Sequence, residues 1–273
     1  MLEQQSNFDC ASKEEIRTAI GLGVNPKNII YANPCKMDEH LEFARDNGVN
    51  LMTFDCAEEA ENIAEIHPNA ELILRITVDD RNAPDPMSEK FGAHEDYWSN
   101  ILDTCKSLGL RVRGVSFHVG SGGCSFVSYR ESILNAKKVF EMAEQKGMED
   151  MDILDIGGGF SMSSEHPENN FDVVAPQIQN MLSHEFPGPN KNIRVIGEPG
   201  RNMTQDSMAL AVKVFLARQH GPNCRHYFVN NGIYQGFGCQ IFENLQHFKG
   251  QPLLPKSEYQ NRINQEQRSY IWG

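Results

Sequence analysis

Short runs of β-branched and aliphatic residues recur along this chain, and a longer polar stretch of helical period follows each one, the pattern of parallel βα units. The spacing predicts strands at Asn28 to Ala32, Asn50 to Asp55, Glu71 to Ile76, Gly114 to Val119, Met151 to Ile156 and Asn192 to Gly197. Helices are expected at Ser12 to Gly21, Met37 to Asn47, Ala57 to Ile66, His94 to Leu108, Val127 to Lys146 and Asp172 to His184. Ser12-Lys-Glu-Glu15 and Asp55-Cys-Ala-Glu58 each set a capping oxygen three residues ahead of a glutamate, which predicts two helix starts. Phe8-Asp-Cys10 reads as the end of one more strand, giving at least seven βα units. That number fits a (β/α)8 barrel without its first unit.

A doubly wound open sheet would show the same alternation, so the placement of polar residues decides. Asp9, Lys36, Arg75, His118, Gly157 to Gly159 and Glu198 to Arg201 all follow strand ends. A barrel brings every strand end to one mouth, whereas an open sheet brings together only those at its switch point. The expected fold is therefore an α/β barrel of the TIM type. After about Ala217 the pattern becomes aromatic and turn-rich, at Tyr227 to Asn230 and Tyr234 to Phe242, which predicts the start of a β-type domain. The expected division is a barrel over 1–217 and an incomplete β domain over 218–273, ending at Ile271-Trp-Gly273 without a closing element.

Composition narrows the function. With 40% apolar and 23% charged residues, a chain of 273 can bury a core without disulfides or metals. Acidic residues outnumber basic ones 37 to 25, and a net charge of −12 repels nucleic acid and anionic membranes. The most apolar run, Met208 to Ala217, carries Lys213 and is too short to span a bilayer, and the first residues lack a secretory pattern. The seven cysteines form no C-x-x-C pair and read as reduced thiols of a cytoplasmic protein. The nine histidines show no ligand spacing, so no metal site is expected.

Leu154-Asp-Ile-Gly-Gly-Gly-Phe160 is a strand running into three glycines, either a cradle of backbone N–H groups for a phosphate or a tight turn. Ser121-Gly-Gly123, just after His118, has the same two readings. Glu198, in Val195-Ile-Gly-Glu-Pro-Gly-Arg201, is either a salt-bridged loop residue or a carboxyl that holds a proton on a heteroaromatic nitrogen. His118 is either a ring-stacking or acidic group or a satisfied core histidine. Arg75, in Leu72-Ile-Leu-Arg75-Ile76, sits in a strand apolar on both faces and so requires an anionic partner.

Taken together, Phe8-Asp-Cys-Ala-Ser12, Ile30-Tyr-Ala-Asn-Pro-Cys-Lys36, Val115-Ser-Phe-His-Val-Gly-Ser121, Leu154-Asp-Ile-Gly-Gly-Gly-Phe160 and Glu198-Pro-Gly-Arg201 resemble, in order and spacing, the eukaryotic ornithine decarboxylases. These are pyridoxal 5'-phosphate (PLP) enzymes built as an alanine-racemase-like barrel followed by a β domain. The resemblance implies that Gly157, Gly158, Gly159 and Ser121 bind the PLP phosphate, with Arg201 and Tyr234 reaching it. It implies that His118 stacks on the ring and Glu198 pairs with the pyridine nitrogen, the two catalytic groups, while Arg75 and Asp9 support the cofactor. Glu15 matches a family site residue, although its capping position also accounts for it. The implied reaction removes CO2 from a small basic amino acid, converting ornithine to putrescine for polyamine biosynthesis.

The chain also departs from that pattern. The family's Schiff-base lysine lies on the strand before Phe8-Asp-Cys10, and its catalytic cysteine, contributed across a homodimer interface, follows Trp272-Gly273. The expectation is a chain truncated at both ends and inactive alone, with Lys36 and Cys239 no substitutes. Glu243 stands where ornithine enzymes carry an aspartate for the distal amine, which leaves arginine and lysine open as substrates. The helix after Lys36 is acidic where animal enzymes bind antizyme, so antizyme binding is not expected. The alternative reading is a catalytically dead homologue that binds or regulates an active subunit.

Overall fold

A computed structural model describes residues 6–81, 83, 86–122, 125–161, 167–187, 193–204, 209–238, 253 and 268–273. The chain divides into two compact units, Met1–Gln205 and Asp206–Gly273. In the first, strands β1 (Phe8–Cys10), β2 (Ile29–Tyr31), β3 (Leu51–Phe54), β4 (Glu71–Arg75), β5 (Arg111–Ser116), β6 (Ile153–Asp155) and β7 (Arg194–Ile196) pair in parallel, each beside its predecessor in sequence. Parallel neighbours need a crossover. Helices α1 (Lys13–Gly21), α2 (Asp38–Asp46), α3 (Ala57–Ile66), α4 (Glu95–Ser107), α5 (Phe126–Gln145) and α6 (Phe171–Glu185) supply them.

Side chains alternate across each strand, and the two faces of the sheet separate accordingly. One face packs Tyr31, Met52, Leu72, Leu74 and Leu154 against the helices, in a continuous core that includes Ile16, Leu41, Ile63, Leu102 and Ile133. The other face carries a small cluster, Ile30, Ile73 and Ile153, with Leu51 and Ile196 against it. Two residues further along β4, β6 and β7 this inner face turns polar, at Arg75, Asp155 and Glu198. Strand register places Asp9 beside Ile30, and Arg75, Ser116 and Asp155 side by side.

Ser12 caps α1 as expected: its Oγ accepts the Glu15 N–H at 3.2 Å, and Glu15 Oε2 accepts from Ala11 N at 2.5 Å. The second expected cap fails. Cys56, not Asp55, precedes α3 and makes no side-chain cap bond, because the Asp55 carboxylate accepts the Gly92 N–H at 2.8 Å instead. Strand β5 runs three residues earlier than the apolar pattern predicts. Arg111 and Arg113 lengthen its start because Glu71, Asp150 and Asp152 bind their guanidinium groups at 2.6–3.0 Å. The register shifts between β4 and β5 there, and Gly114 fits because a Cβ would lie 1.9 Å from the Ile153 carbonyl oxygen.

The second unit holds a hairpin of β8 (Val214–Gly221) and β9 (Cys224–Val229), with β10 (Arg268–Trp272) parallel to β9. Ile271 and Trp272, at the end of the sequence, lie in this paired strand β10. Cys10, Cys35, Cys56, Cys105 and Cys224 are free thiols. Among the described residues no helix is long and apolar enough to cross a membrane.

Candidate active site

The C-terminal ends of β1, β4, β6 and β7 gather carboxyl groups around one guanidinium. Arg75 is half-buried, its guanidinium 5.2 Å from the centre of the Phe91 ring, and no carboxylate among the described residues lies within ion-pair distance of it. Burial pushes its pKa down, while Glu198, Asp55, Asp155 and Asp9 oppose that from nearby. The anionic partner expected for this arginine is therefore a surrounding field of carboxylates, with no single one in contact.

Those carboxyl groups hold protons unusually well. Burial, then the Glu198 and Glu15 charges, push Asp9 up to about 7 even though one side of the residue is open to water. Asp155, 1% exposed, is raised to about 6 by burial. Glu198 is raised well above the ordinary carboxylate range, by burial first and by Asp155 second. Asp9 and Glu198 both line a cavity of about 550 Å3, together with Ile30 and Ile196.

Three loops meet beside this cluster, and glycine permits their approach. Gly157 has φ +63°, and a Cβ on it would sit 2.3 Å from the Phe117 carbonyl oxygen. On Gly158 a Cβ would sit 2.7 Å from the Glu198 carbonyl oxygen, and on Gly159 it would sit 2.4 Å from that of Gly120. Close packing thus accounts for the absence of side chains at all three positions. It does not account for their N–H groups. Gly157 N donates to Asp155 Oδ1 at 2.9 Å, but the N–H groups of Gly158, which is buried, and Gly159 find no acceptor among the described residues. Buried donors are rarely left unmade, so the loop fits an anion such as a phosphate.

His118 Nδ1 accepts the Gly120 N–H at 3.0 Å, which places the ring proton on Nε2. Burial, with the Arg75 charge, pushes its pKa down to about 4, so the imidazole is neutral at pH 7. Ser121 is half-buried three residues beyond His118, and Arg201 opens the short helix α7 (Arg201–Thr204) after the Glu198 turn. Tyr234 belongs to the second unit, where it is 91% exposed, and Glu243 lies outside the described residues. Lys36 is not a free amine. Its buried Nζ donates to Thr53 O at 2.6 Å and to Glu59 Oε1 at 2.9 Å.

Sequence reasoning missed two groups. Asp155 sits inside the quoted glycine motif, and an aspartate ending an apolar strand before three glycines was its signal. Ser116, whose buried Oγ has no partner among the described residues, sits between Arg75 and Asp155 in register and carried no signal at all.

A parallel βα barrel whose mouth combines proton-holding carboxyls, a neutral imidazole and loop N–H groups without an acceptor among the described residues is suited to an anionic ligand. Residues 1–205 match the family of pyridoxal-dependent decarboxylases over its pyridoxal binding domain. The chain is 41% identical over 272 residues to an ornithine decarboxylase of Schizosaccharomyces pombe, covering 98% of this chain and 60% of that protein. It is 38% identical over 267 residues to antizyme inhibitor 2 of Xenopus laevis, covering 94% of this chain and 57% of that protein. The crystal structure of the arginine decarboxylase of Paramecium bursaria Chlorella virus superposes with a TM-score of 0.82 at 37% identity, covering 89% of this chain and 64% of that one. This chain belongs to the pyridoxal-dependent decarboxylase family, and its first unit has that family's alanine-racemase-like barrel fold. It spans about 60% of the length of the curated relatives it matches.

Proposed function

We propose that the protein of this sequence decarboxylates a small basic amino acid, ornithine first among them, with pyridoxal 5'-phosphate as cofactor. The observation that carries the proposal is the pairing of an unused glycine-loop anion site with a proton-holding carboxyl, Glu198, at one barrel mouth. The residues fit the cofactor. Gly158 and Gly159, with Ser121 and Arg201, would hold the phosphate, His118 would face the ring and Glu198 would hold a proton at the ring nitrogen. When bound, the cofactor supplies an aldehyde for the substrate amine and a ring that accepts the electrons released as CO2 leaves.

The protein's own groups have separate tasks in this reading. Neutral His118 can lie against a flat ring without adding charge to it. Arg75 offsets the carboxyl cluster, and Asp9 keeps a second exchangeable proton near Glu198. Tyr234 is assigned to the phosphate and Glu243 to the distal amine, both on the family resemblance. Action as a homodimer in the cytoplasm belongs to the same reading, and the free thiols of the described cysteines support a reducing compartment.

The test is to supply the native-length protein with PLP and ornithine, lysine or arginine in turn and to measure CO2 and the amine product. Release from ornithine above the other two is expected. Preference for arginine or lysine would reassign the substrate. The similarity to an antizyme inhibitor favours one second reading, a regulatory homologue without turnover. Binding of PLP with no decarboxylation of any of the three would select it.

A further inference from the structure

Asp155 has two carboxylate oxygens and only one of them is accounted for. Oδ1 accepts the Gly157 N–H at 2.9 Å, while Oδ2, on a residue 1% exposed, has no donor among the described residues as long as every carboxyl around it is ionised. The Glu198 carboxyl is close enough to Asp155 to shift its proton affinity, and two ionised carboxylates could only accept hydrogen bonds from each other's surroundings, so one of them must carry a proton to donate. The backbone brings the two together, because Glu198 N donates to Gly157 O at 2.8 Å and so ties the turn after β7 to the glycine loop after β6.

Resting on the cofactor reading above, we propose that Asp155 and Glu198 share one proton, and that Asp155 is the positioning residue that turns the other Glu198 oxygen toward the mouth. The proton stays on Glu198 and points at Asp155 Oδ2, so the buried oxygen gains its donor and the pair carries one negative charge instead of two. That single charge is what one guanidinium, Arg75 on β4, can offset. Asp9 on β1 also faces the pair and adds negative charge that favours keeping the proton, while Asp55 after β3 and His118 after β5 act on Arg75. Close carboxyl pairs at low dielectric behave in this way because two like charges in contact cannot both ionise.

The test uses the native-length protein without cofactor, labelled with 13C at the carboxyl carbons of aspartate and glutamate, and follows the titration of Glu198 and Asp155 by NMR. In Asp155→Asn the amide can still accept from Gly157 N, but its N–H now donates to Glu198. The expected result is a fall of at least one pH unit in the Glu198 midpoint, and the reciprocal Glu198→Gln lowers that of Asp155. If one variant does not fold, the other decides. Added PLP, followed by its absorbance, should bind Asp155→Asn at least tenfold more weakly than the parent. A Glu198 midpoint unmoved in Asp155→Asn, or an Asp155 midpoint unmoved in Glu198→Gln, would overturn the shared proton and leave Asp155 as an anchor for Gly157 alone. Coupled titration in a parent protein that binds no PLP would uphold the pair and overturn the function proposed above.

Discussion

The two ends of the same barrel strands treat charge in opposite ways. At the N-terminal end of β5, Arg113 lies 2.6 and 2.8 Å from the two oxygens of Asp152 and 2.9 Å from Glu71, and Arg111 bridges Glu71 and Asp150. Every guanidinium there meets its carboxylates in contact, and Asp152 binds Arg113 in the bidentate geometry that makes such pairs strong. At the C-terminal end of β4, Arg75 has several carboxyls around it and touches none. The paired end is finished and serves stability, whereas the mouth keeps charge and hydrogen-bonding capacity in reserve for something that arrives from outside.

The largest expected effect lies in pH dependence. Asp155 holds its proton more tightly folded (about 6) than unfolded (3.8), so folding gains from its protonation at low pH and loses that gain as pH rises from about 4 to 6. His118 runs the other way, its pKa of about 4 against 6.5 removing stability as pH falls through that window. Urea unfolding from pH 4 to 7 in the absence of cofactor should therefore show a smaller loss for Asp155→Asn than for the parent, by up to about 3 kcal/mol. Equal slopes would mean the mouth stores no such cost.

Next in size is a matched pair of arginine variants. Arg113→Met should lower stability by about 2 kcal/mol, through lost charge-assisted hydrogen bonds, with PLP affinity unchanged. Arg75→Met should weaken PLP binding at least tenfold and cost less stability than Arg113→Met, as read by absorbance titration and urea unfolding. Similar profiles for the two variants would erase the contrast between the strand ends. The smallest effect is expected at Arg111, whose side chain is 51% exposed. Arg111→Ala should change stability by no more than about 0.5 kcal/mol, and less still in high salt.

Much of the barrel was legible because its signals are local. Helix α3 runs from Ala57 to Ile66 as the period predicts, and the other five crossover helices differ by one residue at their ends. What the sequence hid depends on pairing across distance. Whether Asp55 caps α3 or reaches Gly92, 37 residues away, is settled only when the loop after β4 folds back. The arginines of β5 look like strand breakers until Glu71 and Asp152 are placed beside them. In the site, Glu198, Asp9 and Arg75 could be named from strand ends. The tie between Asp155 and Glu198 could not, since adjacent strands 43 residues apart create it.

The strand order carries a consequence for how the chain acquires its shape. Because each described strand of the first unit lies against the one before it in sequence, none of these pairings waits for a distant segment, and the loops that must close are short for a sheet of seven strands. Each newly finished βα unit meets a ready edge to add to, so order can spread in the direction of synthesis. The carboxyl pair that spans β6 and β7 then forms among the last contacts of this unit, after Arg75 is already in place to offset its charge.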